Sequence, residues 1–140
     1  MKQAQKIVRL ATRGPGLYAF TAAADSFVQE AAISLGLLTC FIRHTSASLV
    51  IQENADPDVL DDLAAFMRRL VSRDLALYRH TLEGPDDMPS HIRAALTASS
   101  LCVPIGGGRL MLGTWQGLYL FEHRDRGHAR EVVLHAVGDE

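Results

Sequence analysis

Cysteine, aromatic residues, a dominant charge sign and long apolar runs are all scarce in this sequence, and each scarcity excludes a class of protein. There are two cysteines and no CxxC spacing, which leaves no basis for a disulfide framework or a cysteine-based zinc site. Both lie in apolar runs that read as strands, Cys40 within Leu37 to Ile42 and Cys102 within Ser100 to Ile105, so buried reduced thiols acting as small hydrophobes are expected. The net charge is -2 with a pI of about 6.3, and the arginines are scattered, so the footprint of a nucleic-acid binder is missing. No apolar run approaches the length of a membrane span, and none follows Lys2, Lys6 and Arg9 as a leader would, so no membrane partner and a cytoplasmic location are expected. GxGxxG, GxxxxGK and GxSxG are absent too, which argues against a glycine phosphate cradle and a serine nucleophile elbow.

What is present fits one folded domain over residues 1–140, with 48% hydrophobic and 21% charged residues. Residues 3 to 12 alternate weakly, and Gly14-Pro15-Gly16 before Leu17 to Phe20 reads as a hairpin turn. Ala24, Phe27, Val28, Ala31, Ala32 and Leu35 then recur at helical spacing, with Thr21 as the expected N-cap and Gly36 as the stop. Strands follow at Leu37 to Ile42 and Leu49 to Gln52. A second helix starts at Asp56-Pro57, where the aspartate can cap and the proline suits the first helical position. Its apolar residues Val59, Leu60, Leu63, Phe66, Met67 and Leu70 define an inward face. Pro89 is expected to open a short third helix with His91 in its first turn, and strands are expected at Ser99 to Ile105, Arg109 to Leu112, Gly117 to His123 and Ala129 to Val137. The sum is an α+β fold, a distorted antiparallel or mixed β-sandwich covered by two main helices.

The densest polar stretch is Tyr78 to His91, YRHTLEGPDDMPSH. Histidines with a carboxylate and an open position make a catalytic zinc-type site, and His80 and His91 are the leading ligands here. The competing reading has both as loop histidines hydrogen-bonded to backbone or to Asp86 and Asp87. His44 and His123 also stand at strand ends beside polar groups, whereas His128 and His135 read as surface or strand-face residues. Asp56 and Asp58 are explained by the helix start. Glu53, Asp87 and Glu122 are candidates to orient an imidazole or move protons. Thr45, Ser46, Ser48 and Thr114 offer hydroxyls at turns, and Arg109 and Arg124 offer charge for a phosphate.

HTSASLVIQENADPDVLDDL, YRHTLEGPDDMPSH and GRLMLGTWQGLYLFEHR, in this order, resemble the signature of the YjbQ family, small proteins often labelled secondary thiamine-phosphate synthase. The resemblance runs from about Ile7 to the C-terminus. It implies a compact α+β fold with a distorted β-sandwich, a homotrimer, and polar sites near subunit boundaries. It also implies that His44, Glu53, Asp56, His80, His91, Gln116, Glu122 and His123 belong to the recurrent polar set. Gly84 to Pro89 departs from the asparagine- and histidine-rich segment of many relatives. The resulting expectation is a metal-dependent enzyme making thiamine phosphate from small phosphorylated substrates, with a non-catalytic trimeric anion- or metabolite-binding protein as the alternative. A divalent ion, zinc or magnesium, would be held by His80, His91 and His123, or by His44 in place of the last. His44, Glu53, Asp87, Gln116 and Glu122 would be catalytic, and Thr45, Ser46, Ser48, Thr114, Arg109 and Arg124 would bind substrate.

Overall fold

The computed structural model describes residues 1–140 as one α+β domain with two antiparallel sheets. Its elements are β1 (Lys2–Ala11), β2 (Gly16–Ala19), α1 (Thr21–Ala31), β3 (Leu35–Ile42), β4 (Ala47–Glu53), α2 (Pro57–Leu70), α3 (Asp87–Leu96), β5 (Ser100–Gly106), β6 (Arg109–Leu110), β7 (Gln116–Glu122) and β8 (Ala129–Asp139). The larger sheet has the order β1-β8-β3-β5-β6, and the smaller one β2-β7-β4. The expected sandwich is therefore present, with every strand pair antiparallel.

The core lies between the sheets and follows period-two alternation. Leu38, Cys40 and Ile42 of β3, Val132, Leu134 and Ala136 of β8, and Leu118 and Leu120 of β7 turn inward, and α1 adds Ala24, Phe27, Val28 and Ala31. On the other face of the small sheet, Phe121 meets Ala64 and Met67 of α2. One end of the sandwich is closed by a buried ion pair between the sheets. Glu122, fully buried on β7, accepts hydrogen bonds from Nε and Nη2 of Arg130, from the Thr12 hydroxyl and from the Arg124 backbone N–H.

Several local expectations need correction. Gly14-Pro15-Gly16 does not make a hairpin: β1 pairs with β8 and β2 with β7, so the turn passes the chain from one sheet to the other. Thr21 does not cap α1, because its hydroxyl is taken up by the Leu118 backbone, accepting from its N–H at 2.9 Å. Helix α1 ends at Ala32 in the left-handed region, leaving Gly36 inside β3 opposite Gly138. There, an added Cβ at Gly36 would meet Val137 O at 2.2 Å, so close backbone approach explains the glycine. Helix α3 begins at Asp87, one turn before His91. Cys102 is exposed, since Cys40 and Cys102 point to opposite faces of the large sheet. Burial, with Cys102 nearby, pushes the Cys40 thiol up to about 12. The apolar stripe of α2 is only partly covered, with Phe66 and Leu70 exposed.

Candidate metal centre

The site is organised by the start of α3. Gly84 adopts a positive φ of 106°, a conformation that a side chain disfavours, and turns the chain into the helix. Arg124 then clamps that turn: Nε donates to Asp86 Oδ2 at 2.8 Å, Nη1 to Asp87 Oδ1 at 2.8 Å, and Nη2 to Glu83 O at 3.2 Å. Burial pushes the Asp86 carboxyl up, but the Arg124 guanidinium and the Asp125 N–H outweigh it and hold it at about 2. The Asp87 carboxyl, 2% exposed, is likewise held below its ordinary range, burial being outweighed by contacts with His80, His91 and Arg124.

Asp87 and His91 are four residues apart on α3 and therefore share a face. Asp87 Oδ2 lies 3.0 Å from His91 Nε2 and 2.6 Å from His80 Nε2, the second ring arriving from the loop before Gly84. The imidazole centroids are 5.5 Å apart, and one ligating atom from each residue of the triad lies within 4.8 Å of the others. His91 Nδ1 is 2.8 Å from the Thr45 carbonyl, which only accepts, so this nitrogen carries a proton and donates. A backbone carbonyl holding the far nitrogen of an imidazole is the usual support behind a metal-ligating histidine.

His123 does not complete this triad; Asp87 does. His123 is buried, with Nε2 2.9 Å from Ser48 Oγ and its ring tilted against that of Phe121, the centroids 4.5 Å apart. Burial and the charge of Arg93 lower its pKa to about 4, which keeps the ring neutral. His44 also stands outside the triad. Its Nε2 accepts the Glu131 N–H at 2.8 Å, placing the ring proton of the neutral form on Nδ1, and burial with the Arg130 charge lowers its pKa. His44 and His91 line one groove of about 260 Å³ with Thr45, Ala47, Ala94 and Ala95.

The remaining expected residues divide by place. Thr45 contributes its carbonyl rather than its hydroxyl, Ser46 Oγ accepts from Arg130, and Ser48 serves His123. Glu122 is committed to Arg130, and Arg124 to Asp86 and Asp87, so neither is left for substrate. Glu53 accepts the Asp56 N–H and pairs in register with Gln116, whose side chain holds the Gly113 N–H. The Thr114 carbonyl accepts from Asn54 at the same end. Because Ala47 pairs with Glu122 and Glu53 with Gln116, these residues stand about 20 Å along the strands from the triad's end of the sheet. Arg109 reaches Asp25 at 3.5 Å, also away from the triad. The buried Arg130 escaped the sequence reading, although its phase with Val132, Leu134 and Ala136 marks an arginine on the core face that needs a carboxylate partner.

Residues 6–139 match the family described as UPF0047 protein YjbQ-like. The chain belongs to the YjbQ family. UPF0047 protein sll1880 of Synechocystis is 55% identical over 138 residues, covering 99% of this chain and 94% of that protein. UPF0047 protein YjbQ of Escherichia coli O157:H7 is 39% identical, with 96% and 98% covered. Among solved structures, a YjbQ/UPF0047 protein of Clostridium acetobutylicum superposes on this YjbQ-family chain with a TM-score of 0.85 at 32% identity, covering 94% of this chain and 99% of its own. A YbjQ-like protein of unknown function from Sulfolobus solfataricus reaches a TM-score of 0.90 at 20% identity, with 99% of both chains covered, and so speaks for the fold alone.

Proposed function

We propose that the chain is a metal-dependent enzyme acting on a small phosphorylated substrate, with thiamine-phosphate synthesis as its reaction. The observation that carries this reading is the convergence of His80 Nε2 and His91 Nε2 on one oxygen of the buried Asp87, at 2.6 and 3.0 Å. His91 Nδ1 donates to Thr45 O, which fixes the orientation of that ring. A cation at this point would be held by Asp87 Oδ2, His91 Nε2 and His80 Nε2. Two imidazoles and a carboxylate with an open position suit zinc better than magnesium, which favours oxygen ligands and retained water. Such an ion supplies Lewis-acid stabilisation of phosphoryl charge. Arg124 keeps Asp87 aimed at the ligands, and His44 Nδ1 offers a proton donor beside the groove, whose small side chains leave room for a ring.

Elemental analysis of untagged protein tests the metal half: about one zinc per chain is expected, and its loss in the His80→Ala/His91→Ala variant. Absence of stoichiometric metal after supplementation overturns it. Release of pyrophosphate from a pyrimidine diphosphate and a thiazole phosphate tests the reaction. Metal and ligand binding without turnover favours the second reading, a trimeric metabolite-binding protein. That reading is supported by Glu53, Gln116 and Glu122 standing apart from the triad or already committed.

Self-assembly as a homotrimer belongs to the same proposal. Neither α1 nor α2 packs on the outer face of the large sheet, where Leu35 is 65% and Phe41 48% exposed beside Leu37 and Ile7. Free thiols fit a reducing cytoplasm, and no helix is long and apolar enough to cross a membrane.

A further inference from the structure

On the side of α3 away from Asp87 and His91, Arg93 is 4% exposed and makes no ion pair with any carboxylate. Its Nε donates to Met67 O at 3.1 Å and its Nη2 to Val71 O at 3.4 Å, so it caps the C-terminal end of α2. The cap employs two of the three guanidinium nitrogens. Nη1 has no partner in the chain and is not sealed from solvent. Arg93 forms the floor of a cavity of about 60 Å³, together with Phe121, Glu122 and His123; Pro15, Arg68, Arg73 and Asp125 make its exposed rim.

The charges around this cavity do not cancel. Glu122 is neutralised by Arg130, and Asp125 by the two-pronged contact of Arg73 at 2.9 and 3.0 Å. Arg93 and the exposed Arg68 remain without counter-charges. A buried guanidinium facing a few waters is poorly solvated, and an anion removes that cost. The cavity has room for about four waters, enough for a small oxyanion. His123 lines the same floor, its Nε2 lying 2.9 Å from Ser48 Oγ. The guanidinium donors thus come from two elements, Arg68 from α2 and Arg93 from α3. Donors from separate directions suit a tetrahedral oxyanion, whereas a planar carboxylate is satisfied by one guanidinium fork.

We propose that this cavity is a second binding site, for a phosphate-class oxyanion, separate from the His80–Asp87–His91 triad. The ligand is either free phosphate or the phosphoryl end of an ester, and the rim admits both. The low pKa of His123, set by burial and then by the Arg93 charge, agrees with a cationic interior.

The test is calorimetric titration of inorganic phosphate into the chelator-treated full chain at constant ionic strength, with ethyl phosphate and acetate in parallel. One phosphate per chain is expected, with acetate much weaker. Ethyl phosphate binding equally well assigns the site to esters as well as free phosphate, and weaker binding assigns it to the free anion. Arg68→Ala, on the exposed rim where folding is not at stake, is expected to weaken binding about tenfold, and Arg93→Lys to weaken it further. The His80→Ala/His91→Ala variant is expected to bind as the parent does, which separates this site from the proposed metal centre. No phosphate binding by the parent chain, undiminished binding by Arg68→Ala, or loss of binding confined to the His80→Ala/His91→Ala variant overturns the proposal.

Discussion

Buried beside Phe121 and bonded to Ser48, His123 has its pKa lowered to about 4 from an ordinary value of 6.5, which makes it a source of acid sensitivity. Above pH 6.5 the ring is neutral in both folded and unfolded chains. Below it, the unfolded chain takes up a proton that the folded chain refuses, so stability falls until the folded pKa is reached. Between pH 7 and pH 5 the loss from this residue is about 2 kcal/mol. Urea unfolding at the two pH values should show that loss, and His123→Gln should remove most of it; an equal loss in the variant assigns the effect elsewhere. The histidines differ because of their surroundings, which spacing in the sequence does not report. His80 and His91 were legible as a pair because they share one loop-rich segment. The hydrogen bonds of these rings to Thr45 O and to Asp87 match the competing reading of the sequence, which named backbone and Asp86 or Asp87 as their partners; that Asp87 shares a face with His91 followed only once α3 was known to start at Asp87.

Helix α2 was the best-read element, because its start signals are local. Asp56 Oδ1 accepts the Asp58 N–H at 2.9 Å, Pro57 occupies the first turn, and Arg68 and Arg69 sit in the last. Asp56→Ala should cost about 1 kcal/mol in chemical denaturation, while leaving the content of the metal proposed for the triad unchanged, because the cap lies at the Glu53 end of the small sheet. A change in metal content would place Asp56 in the site instead. Helix α1 was misread at both ends for a common reason. A threonine before an apolar helix and a glycine after it are ordinary cap signals, but Thr21 and Gly36 both answer to strands distant in sequence. Thr21 bonds Leu118 of β7, and Gly36 lets β3 approach β8 at Gly138. The turn at Gly14-Pro15-Gly16 failed in the same way. Alternation in β1 and β2 identifies strands without saying which sheet each joins.

At the scale of the whole molecule, the sandwich leaves the outer face of its large sheet bearing Leu35, Leu37 and Phe41 toward solvent. A trimer built on that face should dissociate when a charge is placed in it. Light scattering is expected to give three times the chain mass for the parent and the single-chain mass for Phe41→Glu, and a trimer that survives the change locates the interface elsewhere. The sequence by itself determined the α+β class, most strand positions, the start of α2, the family, and the segment that carries the His80–Asp87–His91 cluster. Each of these rests on periodicity, local capping or contiguous motifs, which are properties of neighbours along the chain. Only the tertiary structure decided strand pairing, the closing of the sandwich by Arg130 and Glu122, the separation of Glu53 and Gln116 from the triad, and the grouping of Asp87, apart from His123, with His80 and His91. Those outcomes depend on which side chains are brought together across two sheets, and on desolvation that only packing imposes.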